Sequence, residues 1–355
     1  MESEVGMKIA VVGAGLFGCT AAIYAARAGH DVHLFEKKSD ILQCASGINQ
    51  FRLHRGYHYP RSARTVHECQ EGLESFKAEY GPAVIDGERH LYAIAEDSRV
   101  SASQYKWFCD DSNLPYKVLR KNGLVSDEIE MLIEADESRI SPVILSRIIK
   151  ERLLNNRVNV HLGVSEILRR DYDMVVVAAY AGTNSVLEML GCDPETYQFE
   201  VCEKPVVKMP KGFPSIVVMD GEFCCVDPYE DGLYLLGHVK HAIHHSNVGT
   251  HPERLDYLPL DCGIGTPIDT RFDEFIASGM NYIPALEHAE YVGSMFTVRA
   301  VLADKDDTDE RPTLVHQLDD NVIRIFSGKL GTAASSAQEV TDILDKQGGR
   351  RQSAA

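Results

Sequence analysis

The five residues Lys8–Val12 (KIAVV) are apolar on both alternating faces after the first position. That pattern predicts a strand buried in a parallel sheet rather than one with a wet face. A glycine-rich turn follows, then an Ala-rich helical run from Phe17 to Ala28 stopped by Gly29, then a second strand, Asp31–Phe35. Val158–Leu162 and Met174–Ala178 are short apolar segments that would complete the same sheet. Ser62–Tyr80 predicts an amphipathic helix with Val66, Leu73 and Phe76 on one side, ended by Gly81-Pro82. His90–Ala95 predicts a strand, and Val100–Asp111 a helix carrying the single tryptophan, Trp107. Ser141-Pro142 opens another helix, with serine as N-cap and proline at the first helical position.

From about Val201 to Val301 the pattern changes. The segments VCEKPVVKM, SIVVMD, FCCVD, GLYLLGHV and YVGSMFTVRAVL are strand-like, close together and separated by turn residues, which predicts an antiparallel sheet. One helix, Arg271–Met280, interrupts them. Asp304–Arg311 is an acidic, solvated loop, and Val322–Phe326 returns to buried strand. SGKLGTAASS then leads into a final helix to Lys346, with 347–355 expected to be a disordered tail. A stretch of 23 residues at 39–61, SDILQCASGINQFRLHRGYHYPR, has neither period, and loops of that length in compact domains are usually functional.

Composition narrows the class. The 355 residues can hold one large or two ordinary domains, and 44% hydrophobic with 25% charged residues is the balance of a soluble globular protein. A net charge of −17 argues against nucleic acid or an anionic membrane as a partner. No apolar run approaches a membrane span, and MESEVGMK is no signal peptide, so a cytoplasmic protein is expected. Nine cysteines without C-x-x-C spacing suit buried, reduced thiols.

The first chemistry lies in the glycine turn. Gly13, Gly15 and Gly18 have G-x-G-x-x-G spacing directly after a strand and at the start of a helix. Gly13 allows the tight turn, Gly15 lets backbone approach a pyrophosphate, and Gly18 lets helix and strand pack closely. Phosphates would sit on the helix N-terminus beside Ala14, Leu16 and Phe17. Glu36 ends the second strand, 18 positions after Gly18, where a carboxylate accepts ribose hydroxyls and disfavours a 2′-phosphate. This motif specifies an adenine dinucleotide without separating NAD from FAD.

The remaining segments resemble the flavoprotein oxidoreductases of the glycine oxidase and D-amino-acid oxidase family, which includes sarcosine oxidases and L-2-hydroxyglutarate oxidase. The opening glycines with Glu36, the segment Ala45-Ser46-Gly47-Ile48-Asn49, the helix SRISPVILSRIIKERLL, the strand Asp173–Ala178 running on to Gly182, and Phe326–Ala333 carry the resemblance. Tyr180-Ala181 intervene before Gly182, and Lys329 stands where the family has histidine. The resemblance implies an α/β fold: a Rossmann-like FAD-binding domain with an inserted mixed or antiparallel substrate sheet. The implied division is FAD-binding at 1–80, 141–190 and 303–346, and substrate-binding at 81–140 and 191–302. It implies non-covalent FAD contacted by Gly13, Ala14, Gly15, Leu16, Phe17, Gly18, Glu36, Lys37, Ser46, Gly47, Ile48, Asn49, Val164, Ala179, Gly182, Gly328, Lys329, Leu330, Gly331, Thr332 and Ala333. Backbone N–H groups of the last turn would stabilise negative charge on reduced flavin, with Lys329 adding its own cation.

The implied reaction is oxidation of a CH–NH or CH–OH group of a small anionic substrate by hydride transfer to flavin, with O2 or another acceptor taking the electrons. QFRLHRGYHYPR is the densest polar-aromatic cluster, and alignment to the family's H-x-G-x-Y-Y places His54 as base, with Tyr57 and His58 nearby. The same side chains could instead only hold loop carbonyls and phosphates. Arg299, in FTVRA, stands at the family's substrate-carboxylate arginine. His238, His241, His244 and His245 lack the accompanying ligands of a metal site, and none is assigned; they could line the substrate pocket. Two other readings fit the same motif: a UDP-galactopyranose mutase-like flavoenzyme with no net redox, and a nucleotide-binding scaffold without catalysis.

Overall fold

A computed structural model describes residues 6–258, 263–266, 269–303 and 311–354. Of the acidic loop expected at Asp304–Arg311, residues 304–310 lie outside them. The apolar segments form a six-stranded sheet in the order Leu314–Asp319, Val322–Phe326, Met174–Val177, Lys8–Val12, Asp31–Glu36, Asn159–Leu162. All neighbours are parallel except the outer pair 314–319 and 322–326. Central strands buried on both faces explain the continuous apolar runs. Helix Leu16–Arg27 packs on one face with the last helix and with Leu145, Ile149 and Leu153 of helix Pro142–Asn155. Leu187 and Leu190 cover the other face.

The second large sheet has nine strands. Towards one end of it the long strand Tyr197–Lys208 pairs antiparallel with Glu290–Val301 on one edge and with Ile243–Gly249 and Leu233–His238 on the other. His90–Ala95 runs parallel to Ser215–Met219, which makes the sheet mixed. A small sheet joins Arg52–Leu53 and Val84–Ile85 to opposite edges of Ser138–Ile140. No helix among the described residues is long and apolar enough to cross a membrane.

One strand falls outside those expected, and one expectation fails. Ile243–Gly249 (IHHSNVG) is a strand; as an edge strand it is held by ladder bonds to Tyr197–Cys202 instead of by an apolar face. The last helix runs Ala333–Ala354, so 347–354 is helical rather than a disordered tail. Ala337, Val340 and Leu344 bury its first half, and elongating a helix already nucleated costs little.

Candidate active site

A single cavity of about 1280 Å³ runs from the carboxyl ends of strands Lys8–Val12 and Asp31–Glu36 into the mixed sheet. At the first end the backbone does the shaping. Gly13 has φ +105°, and a Cβ there would lie 2.6 Å from the Ala178 carbonyl oxygen. A Cβ on Gly18 would lie 1.8 Å from the Gly13 carbonyl oxygen, so no side chain fits between turn and helix. The helix opens at Gly15 with no side-chain cap, leaving amides at its positive end. Glu36 accepts from the Ala14 amide at 2.8 Å and the Lys38 amide at 2.9 Å, which fixes its carboxylate at the cavity wall. Ser46 Oγ accepts from the Leu16 amide at 2.9 Å and ties the 39–61 loop to the turn.

Of the residues expected to contact a dinucleotide, Gly13, Gly15, Phe17, Glu36, Lys37, Ser46, Ile48, Asn49, Val164, Ala179, Gly182, Gly328, Lys329 and Leu330 line this cavity. The others stand behind it. Ala14 and Leu16 act through the amide bonds just described, and Gly18 and Gly47 lie where a Cβ would strike backbone oxygen. Gly331 packs on Leu53 and Gly72, Thr332 bonds to Thr313 at 2.6 Å, and Ala333 is fully buried in the core. These three support the last turn from its rear.

At the far end side chains dominate. His54 and His58 both line the cavity, with ring centroids 5.4 Å apart. Burial pulls the His54 imidazole below its usual range against the opposing pull of Glu137, and burial drives His58 lower still. Both are therefore neutral at pH 7. His54 Nδ1 lies 3.4 Å from Glu137 Oε1. Lys329 sits over the Tyr59 ring at 4.0 Å, and burial brings its ammonium down to about 7. The fixed cation expected there is thus a group that titrates near neutrality.

Two of the four expected catalytic side chains are engaged elsewhere. Tyr57 is fully buried away from the cavity, its hydroxyl donating to the Pro115 carbonyl among Tyr92 and Tyr105; a glycine at 56 with φ +127° turns the chain so that His58, not Tyr57, faces the cavity. Arg299 does line the cavity, but its Nε donates to Glu200 at 2.6 Å and Nη2 contacts the same carboxylate. The four histidines do not converge on one point: His238 bonds Ser278 at 2.9 Å with the His241 ring 4.3 Å from its own, His244 bonds buried Glu203 at 2.8 Å, and His245 approaches Glu253 at 3.4 Å. Only His238 of the four lines the cavity.

Sequence reasoning missed Glu137, Glu200 and Lys204. The last two have a signal in retrospect, because Gln198, Glu200, Cys202 and Lys204 alternate along one strand and all line the cavity. The Lys204 side chain makes no hydrogen bond among the described residues, and burial lowers its ammonium. Glu137 has no local signal, since it sits in a short turn between strands Ile129–Ala135 and Ser138–Ile140.

Comparison with known proteins gives the following. The DAO family, described as FAD dependent oxidoreductase, matches residues 8–323. FAD-dependent monooxygenase kojA of Aspergillus flavus is 29% identical over 401 residues, spanning 99% of this chain and 89% of the relative. FAD-dependent monooxygenase FPY4 of Fusarium mangiferae is 24% identical, spanning 96% and 92%. Among solved structures, glycine oxidase from Geobacillus kaustophilus shares the fold, with a TM-score of 0.71 over 97% of this chain and 95% of that one at 14% identity.

Proposed function

The chain belongs to the DAO family of FAD-dependent oxidoreductases, and on that premise we propose that it oxidises a CH–OH group of a small polar substrate, with His54 as base. The glycine cradle, the uncapped helix start and Glu36 fit the ADP half of FAD; Ser46, Ile48, Asn49 and the amides of 328–330 would hold the rest. The turn at 327–333 contains no cysteine, in keeping with non-covalent binding. When bound, FAD would supply the acceptor for the hydride, which carries the electron pair away from the substrate carbon.

The observation that carries the proposal is an imidazole at the cavity wall backed by a buried carboxylate. An alcohol must lose its hydroxyl proton as the hydride leaves, and a neutral histidine within the wall can take it. Arg299 is already paired with Glu200, so it is not a free carboxylate anchor, which tilts the reading toward a hydroxyl compound. Lys204 remains as a donor toward substrate oxygens.

Anaerobic mixing of the FAD-loaded protein with polyols, sugar derivatives, 2-hydroxy acids and amines tests this. Hydroxyl compounds should bleach the flavin. Bleaching by amines alone would reject the proposal. A second reading comes from the two relatives named monooxygenases. It predicts 18O from labelled O2 in the product, where the oxidase reading predicts hydrogen peroxide and unlabelled product.

A further inference from the structure

We infer that Glu137 is the positioning residue for His54: it holds the imidazole with Nδ1–H toward a buried carboxylate and leaves Nε2 as the proton-accepting atom. This rests on His54 being the base. The small sheet creates the pair, because Leu53 is in register with Ser138, so the next residue on one strand and the preceding one on the other fall side by side. Glu137 is completely inaccessible as a side chain. Its Oε2 accepts from Tyr92 Oη at 2.7 Å and Arg52 Nη1 at 3.1 Å. Its Oε1 faces the Arg55 amide at 3.3 Å and His54 Nδ1 at 3.4 Å. That nitrogen is buried and has no formed hydrogen bond among the described residues, and the Glu137 carboxylate is the acceptor it faces. The opposite tautomer would set a ring lone pair against carboxylate lone pairs in a dry site, which low dielectric penalises.

Charge counting points the same way. Arg52 is shared between Glu137 and Asp227, both inaccessible, so one guanidinium faces two carboxylates and the cluster keeps a net negative charge. A protonated His54 offsets that charge as it takes the substrate proton. Acting against it are the charges of Lys329 and Arg52, which disfavour an imidazolium, while the neighbouring His58 adds no fixed charge as long as it is neutral. His90, buried on the other side of Glu137, adds no fixed charge while neutral. Glu137 is thus the acid that keeps a deeply buried histidine basic enough to work, much as an orienting carboxylate does in hydrolytic triads.

Two measurements on 15N-histidine-labelled protein test this without turnover, so they stand or fall separately from the role of His54 as base. In the wild-type FAD-loaded protein, multiple-bond proton–nitrogen NMR should show His54 as the Nδ1–H tautomer; an Nε2–H tautomer overturns the inference. In Glu137→Gln, the His54 titration midpoint should fall by about one unit or more, and Glu137→Asp should bring it back toward wild type. An unmoved midpoint in a folded, FAD-retaining Glu137→Gln protein overturns it as well. Where Glu137→Gln does not fold, the wild-type tautomer decides. With a substrate in hand, Glu137→Gln should lower the flavin reduction rate on the order of a hundredfold or more, leave KM within about threefold, and shift the acid limb of the rate profile to lower pH together with the midpoint. A fall in rate with no shift of that limb would mark Glu137 as merely structural.

Discussion

The two ends of the cavity are built by opposite means. The dinucleotide end uses backbone: three glycines, a helix terminus and one acid, all within the first 36 residues. The chemical end uses the side chains of Arg52, His54, His58, Lys204, Arg299 and Lys329, with Glu137 behind them, brought together by the small sheet, the mixed sheet and the closing turn. Backbone amides and helix dipoles recognise phosphate by geometry that any sequence of the right shape provides. Proton transfer needs a specific side chain with a tuned pKa, and tuning needs neighbours that the chain order does not supply. The first end is therefore rigid and locally encoded, the second electrostatic and assembled.

Substitutions at each end should fail differently, and the contrast can be broken by measurement. Gly18→Val would force a side chain into backbone oxygen, and we expect neither stable fold nor FAD retention, a loss of more than about 3 kcal/mol; yellow, folded protein would show that the turn can relax. His54→Ala should slow anaerobic flavin reduction by about a hundredfold to ten-thousandfold while FAD affinity changes less than about threefold; an unchanged rate removes it as base. Glu36→Gln should do the reverse, weakening FAD binding by about tenfold to a hundredfold, the effect of losing a charged hydrogen bond, with reduction of bound flavin unaltered.

The smallest effect concerns pH. Lys329 has a folded pKa near 7 against an ordinary 10.5. Between those values the unfolded chain holds the extra proton, so this residue makes stability rise with pH. Below about 7 the penalty of burying the cation is present in full. The Tm of cofactor-stripped protein should therefore gain more between pH 7 and 10 in wild type than in Lys329→Met. Equal slopes would place the lysine in water rather than in the cavity wall.

Much of the fold was readable in advance because its signals are local. The double-sided apolar strands, the glycine spacing and the serine-proline helix start each follow from a few neighbouring residues. The strand Ile243–Gly249 was not, because an edge strand is defined by its partner. Within the site, His54 was legible from its glycine- and tyrosine-bearing context. Tyr57 was misplaced because one backbone turn at Gly56 decides which of two adjacent aromatic residues faces inward. Arg299 was placed in the cavity, but its salt bridge to Glu200 depends on two strands pairing in register, Glu200 against Arg299, 99 residues apart.

By itself, then, the sequence determined the βαβ core, the family and the adenine dinucleotide, since a glycine turn, a helix start and an acid act through short-range geometry. Only the tertiary structure decided that Arg299 is neutralised, that Lys329 titrates near pH 7, and that Glu137 stands behind His54. Burial and the sign of the nearest charge set these properties, and both depend on which distant strands lie side by side.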